Sequence, residues 1–229
     1  MDYEALRALL EEDLAWRLDE LRHLRNSLLG DVEREAWSVT ALRTILVMQY
    51  AHLEGFAHNA FRLYVDAVNN RALKADQLRP ELFACALVPD FDALRLGGNE
   101  QESSEGRLTR RANMQFRFVQ RVRKLGSEEV VIDADHAVSM EMNFGADVLR
   151  RTLFMLGIPE SEVDRSYFSS LEFVRRARND IAHGARRERI EAGLFEAHQK
   201  KCEQFMSDLS RLIGSAVRHE WYRDAAVAS

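Results

Sequence analysis

The sequence predicts an all-α protein. Three features carry that expectation: only three prolines in 229 residues, β-branched runs that are scarce, and segments rich in Leu, Ala, Arg and Glu whose apolar positions recur about every 3.6 residues. With 46% hydrophobic and 30% charged residues, the chain suits one medium helical domain over residues 1–229 with a real core. Cys85 and Cys202 sit far apart on helical patterns without ligand spacing and read as buried thiols in a reducing compartment. The start, Met1-Asp2-Tyr3-Glu4, has no basic region followed by an apolar run. The most apolar segment, Ile45 to Tyr64, is broken by Gln49, His52, Glu54, His58 and Arg62. A soluble cytoplasmic protein with no membrane partner is therefore expected.

Taken in order, residues 2–29 form an amphipathic helix through Leu6, Leu10, Leu14, Leu21 and Leu24, ended by Gly30. Asp31 or Ser38 opens the next, whose stripe runs through Leu46, Tyr50, Leu53, Ala57, Phe61, Tyr64 and Val68 and marks it as the central helix. Pro80 begins a short helix broken near Pro89, and Gly97-Gly98-Asn99 with Ser103-Ser104 and Gly106 reads as a loop. Arg107 to Leu125 is a basic helix without an acidic residue. Arg107, Arg110, Arg111, Arg117, Arg121 and Lys124 share an arc of about 140°, with Leu108, Ala112, Phe116 and Val119 opposite. Residues 126–142 connect, with Val130-Val131-Ile132 as a short extended piece, and Phe144 to Leu156 is a helix ended by Gly157-Ile158-Pro159. A further helix starts near Glu162, and the last runs over about 192–222.

The chemistry-bearing stretch is Leu171 to Gly184. On a wheel of about 100° per residue, Leu171, Val174, Ala177, Ile181 and Ala182 form one apolar sector, and Arg178 falls inside it. Asn179 and His183, four residues apart, share the face beside that stripe, and Gly184 stops the helix as a left-handed cap. Arg178 pairing with Glu54 and His183 favouring the helix C-terminus would account for these residues structurally. His52, Glu54 and His58 lack the His-Glu-x-x-His spacing of a zinc helix, and no phosphate loop or glycine-flanked nucleophile is present. No metal or cofactor is expected.

Arg178-Asn179-Asp180-Ile181-Ala182-His183 resembles the R-N-x-x-x-H signature of the HEPN superfamily (higher eukaryote and prokaryote nucleotide-binding), followed by glycine as is usual there. Gln49-Tyr50-Ala51-His52-Leu53-Glu54-Gly55-Phe56 resembles the Tyr-x-His-x-Glu-Gly helix of stand-alone bacterial HEPN proteins of the MAE type, and Leu156-Gly157-Ile158 falls between the two in the expected order. The resemblance covers about 39–189, leaving helices 2–29 and 192–222 as flanking additions. It implies an up-and-down helical bundle that dimerises, and an endoribonuclease needing no metal. The alternative is a non-catalytic HEPN module that binds RNA, nucleotide or a protein partner. Relatives encoded near toxin–antitoxin and antiphage defence genes imply an antitoxin or other regulatory protein as a partner.

RNA carries its own nucleophile, the 2′-hydroxyl, so cleavage without metal needs a base, an acid and positive charge for the phosphorane. Histidine serves either proton role near neutral pH. The resemblance therefore assigns His183 as base or acid, Arg178 as the phosphate fork and Asn179 as the orienting group, supported by Glu54, His58 and Asp180. One chain offers one such set, and a two-fold pair offers two. Arg107, Arg110, Arg111, Arg117, Arg121 and Lys124, with Arg175 and Arg176 beside the motif, are assigned to the RNA backbone.

Overall fold

The computed structural model describes residues 1–96, 104–126, 128–139, 143–184 and 190–224. Four long helices build the core: α1 (Tyr3–Leu29), α2 (Val39–Asn69), α8 (Ser166–Ala182) and α9 (Ala192–Arg218). Between α2 and α8 the chain makes an excursion through α3 (Pro80–Ala86), α4 (Val88–Leu96), α5 (Ser104–Leu125), α6 (Ala134–Ala137) and α7 (Ala146–Met155). Among the described residues there is no strand, only the isolated bridges Lys74–Glu129 and Leu78–Arg223.

The helix starts are chemical. Asp2 caps α1 by accepting from the Ala5 amide at 2.8 Å, and Ser38 caps α2 by accepting from that of Ala41 at 3.0 Å. Ser38, and not Asp31, is therefore the true start of the second helix. Pro80 opens α3, where a missing amide proton costs nothing. Pro89 likewise lies in the first turn of α4, so it begins a helix where the sequence suggested a break. The glycine-rich segment 97–103 lies outside the described residues, but Ser104 and Gly106 belong to α5. The Val130-Val131-Ile132 piece is extended without being a strand: Val130 donates to Leu73 O at 2.8 Å, and Asn69 bonds both the amide and the carbonyl of Ile132 at 2.9 Å. The motif helix starts at Ser166, after a 3-10 turn at Glu160–Glu162.

Side-chain pairs fix the direction of each core helix. Asp13 meets Asn59, Arg17 packs on Gly55 and Glu20 lies 2.9 Å from His52, so α1 and α2 are antiparallel. Tyr50 meets Arg178, while Glu54 accepts from the Phe144 amide, whose chain neighbour Asn143 accepts from Arg175, so α2 and α8 are antiparallel too. Tyr167 bonds Asp208 and Ser170 bonds His198, reversing α9 against α8. Tyr3 beside Gly214 and Arg25 on Glu196 close α9 against α1. The result is an up-and-down four-helix bundle with α2 as its most buried wall. Leu6, Leu10, Leu42, Phe56, Phe61, Leu171, Cys202 and Met206 are fully enclosed, so α1 and α9 contribute to the core together with α2 and α8. No helix among the described residues is long and apolar enough to cross a membrane.

Helix α5 stands apart from this pattern. Leu125 is buried and Phe118 and Val122 pack against the body, with the Phe118 ring 5.7 Å from Phe91 on α4. The strip Leu108, Phe116 and Val119 instead remains 70%, 61% and 49% exposed. The inward side of α5, centred on Phe118, Val122 and Leu125, thus overlaps one edge of the basic arc, where Arg121 is half-buried, and leaves the apolar strip read from the sequence outside.

Candidate functional site

The last turns of α8 lie over the middle of α2. Leu171, Val174 and Ala177 are buried against it, whereas Ile181 is half-buried and Ala182 exposed, because the helix is leaving the core there. Arg178 is half-buried, and its guanidinium carbon sits 4.1 Å from the centroid of the Tyr50 ring. A cation over a desolvated aromatic face is worth about 1 to 2 kcal/mol. This explains how an arginine occupies an apolar sector: its guanidinium lies on the face of a ring.

Tyr50 is only 2% exposed, and its hydroxyl donates to Glu54 Oε1 at 2.9 Å. The same oxygen accepts the Phe144 amide at 3.1 Å. Burial, followed by the hydrogen bond to carboxylate, pushes the Tyr50 phenol up to about 12, against a smaller downward pull from Arg178. The phenol is a permanent donor at physiological pH. Glu54 therefore reaches the arginine through Tyr50, which joins the two groups.

A second hub is Asn143. Its Oδ1 accepts from Asn179 Nδ2 and from Arg175 Nη1, each at 3.2 Å. Arg175 also holds Glu172 in a fork, Nε to Oε2 at 3.0 Å and Nη2 to Oε1 at 2.6 Å, and Arg176 adds a bond to Oε1 at 2.6 Å. The Arg175 bond, reinforced by Arg176, draws the Glu172 carboxyl down to about 2. Gly145 makes this close approach available, since a Cβ there would fall 2.6 Å from Arg175 Cδ. Beyond the hub, the His183 amide closes the helix on Asn179 O at 2.9 Å, and Gly184 turns away at φ +70°. His183 itself is exposed at the helix tip.

Of the residues assigned from sequence, Arg178, Asn179 and Glu54 thus meet in one network, with exposed His183 at its edge. Asp180 is half-buried on α8. His58 lies a turn along α2 beside Arg62 and Asp135, where burial and then Arg62 lower its pKa. Arg175 is engaged by Glu172 and Asn143, while Arg176 projects into solvent. The C-terminal end of the basic helix lies elsewhere: α5 ends near Leu73, past the end of α2, and that end is roughly 30 Å along α2 from Tyr50. On α5, Arg110, Arg111, Arg117 and Lys124 are exposed and Arg121 is half-buried; the Arg107 side chain lies outside the described residues. Among the described residues no group of His, Cys, Asp or Glu is arranged to hold a metal.

Tyr50, Asn143 and Glu172 belong to the network but were not assigned to the site from sequence. Tyr50 stands four residues before Glu54, a spacing that pairs a phenol with a carboxylate on one helix face, so its signal was present. Asn143 lies 36 residues before Asn179 in a connecting segment, and nothing local marks it.

The family model described as HEPN_MAE_28990-like HEPN matches residues 6–222, from the first turn of α1 to past the end of α9. No curated protein and no solved structure matches the chain.

Proposed function

Given that the chain belongs to the HEPN_MAE_28990-like HEPN family, whose domains are nucleases or nucleotide-binding modules, we propose that it is a metal-independent endoribonuclease working as a dimer. The observation that carries this reading is the ready-made posture of Arg178: laid on Tyr50, next to Asn179, at the same helix end that exposes His183. An arginine held this way needs little reorganisation to meet a phosphate. His183 takes the proton of the 2′-hydroxyl or returns one to the departing 5′-oxygen, and the 2′-oxygen displaces that 5′-oxygen at phosphorus to leave a cyclic phosphate. Asn179 orients the histidine or the phosphate.

Electrostatics favours two chains over one. A helix C-terminus carries about half a negative charge and by itself repels an anion. Arg178 and exposed Arg176 offset that field, and a two-fold pair brings two such sets, with a second His183 to serve as the complementary acid or base. The exposed cations of α5 guide the phosphate backbone. The biological setting implied is that of a toxin or antiphage effector, restrained by an antitoxin or other regulatory protein.

The test is incubation of the full chain with total RNA in chelator, followed by end-group analysis. Cyclic-phosphate ends with the wild type and none with His183→Ala, which should remain folded because the residue is exposed, are the expected result. Cleavage retained by His183→Ala removes the mechanism, and binding without cleavage by the wild type indicates a non-catalytic module.

A further inference from the structure

Seven cations and one carboxylate give α5 a net charge of +6, within a chain whose total is −5, so all other residues together carry −11. A polyanion that reaches this molecule is attracted by α5 and repelled by most of the remainder. The pattern on α5 is finer than charge. Arg110, Asn113, Arg117, Gln120 and Lys124 follow one another at alternating steps of three and four residues, so they form a single stripe in which cation and amide alternate. All five are exposed. Successive cations stand about 10.5 Å apart along the helix. Phe116 borders the stripe at the level of its two amides, with 61% of its surface in solvent. No carboxylate interrupts it; Glu128, 3.5 Å from Lys124, stands just beyond its foot.

We propose that this stripe binds unpaired RNA, the cations tracking phosphates, Phe116 stacking on a base and the amides of Asn113 and Gln120 meeting base edges. The proposal rests on the ribonuclease reading for its choice of nucleic acid. Each residue type matches one part of a single strand. A duplex keeps its base faces stacked on one another and leaves an exposed phenyl ring nothing to cover. An unpaired base offers that face, and base–aromatic stacking tolerates sequence. A protein-docking surface would instead place its apolar groups centrally; here Phe116 sits at the margin of the Leu108–Val119 strip, turned toward the polar stripe.

The experiment is fluorescence anisotropy in chelator, using the full chain and labelled 2′-O-methyl RNA, which lacks the free hydroxyl and cannot be cleaved. An unpaired oligonucleotide is compared with the same sequence in a duplex, for the wild type, Phe116→Ala, Phe116→Tyr and Arg110→Glu/Arg117→Glu. The single strand should bind at least about tenfold more tightly than the duplex. Phe116→Ala should lose most of that preference and Phe116→Tyr keep it, while the double charge reversal should weaken both forms, most at low salt. Equal affinity for strand and duplex, or full affinity in Phe116→Ala, overturns the proposal. So does a change in oligomeric state by Phe116→Ala without a change in RNA affinity, which would make the strip a protein contact. Because cleavage is not measured, the catalytic reading stands or falls separately on the cyclic-phosphate test with His183→Ala.

Discussion

At the scale of single residues, the candidate site is governed by side chains other than those proposed to meet RNA. Tyr50 holds Arg178 from below and is itself held by Glu54, so removing the ring frees the arginine without touching His183. Tyr50→Leu should lower kcat about 100-fold with little change in KM, the scale of loss that follows from a misplaced catalytic group. Tyr50→Phe keeps the ring and should recover most of the rate. Equal losses in the two variants would assign the effect to the hydroxyl, and not to the platform. Glu172 gives a second expectation. Its folded pKa of about 2 lies below the ordinary value of 4.5, so the stability it contributes is present above pH 4.5 and is lost as pH falls toward 2. Acid titration followed by circular dichroism should show a flatter profile over that window in Glu172→Gln. Both Tyr50 and Glu172 lie in segments whose helical character was evident from sequence. What sequence withheld was the partner across space: a wheel places Arg178 in the apolar sector, but not on the Tyr50 ring that receives it.

At the scale of elements, α8 matters because it ends where it does. Gly184 adopts φ +70°, and a Cβ added there would meet nothing within 4 Å. The cost of Gly184→Ala is therefore conformational alone, about 1 to 2 kcal/mol, and thermal denaturation should show it without a change in core packing. Gly184→Asn should lose less, since asparagine tolerates the left-handed region. This cap was legible from the order of residues, as were the spans of the long helices. Short elements were harder. The 3-10 turn at Glu160–Glu162 and the four-residue helix α6 are too brief for periodicity to register, and Pro89 marks an entry as readily as an exit. The outward strip of α5 was also hidden, because a wheel shows which residues share a side but not which side the body covers.

For the whole molecule, the proposal of a site completed by two copies predicts that activity depends on association. Wild-type chain mixed with an equal amount of His183→Ala and allowed to exchange should retain about one quarter of its dimers as wild-type pairs. Cleavage at fixed wild-type concentration should fall as the inactive chain is added, a loss that a monomeric enzyme would not show. The family resemblance read from sequence was confined to about 39–189, because the recognisable motifs lie there. The match over 6–222 agrees with the bundle geometry, in which α1 and α9 are two of four walls.

That geometry also dictates an order of assembly. The hairpin of α1 and α2 is local and can zip as soon as both have formed, but α8 and α9 rejoin it only after a detour of about a hundred residues, which raises the entropy lost on closure. During synthesis the first two helices therefore emerge with Leu42, Phe56 and Phe61 unsheltered until the distant pair arrives. The tip of α8, whose arginine needs Tyr50 from the early half and its own helix from the late half, comes into being only when the last wall is in place.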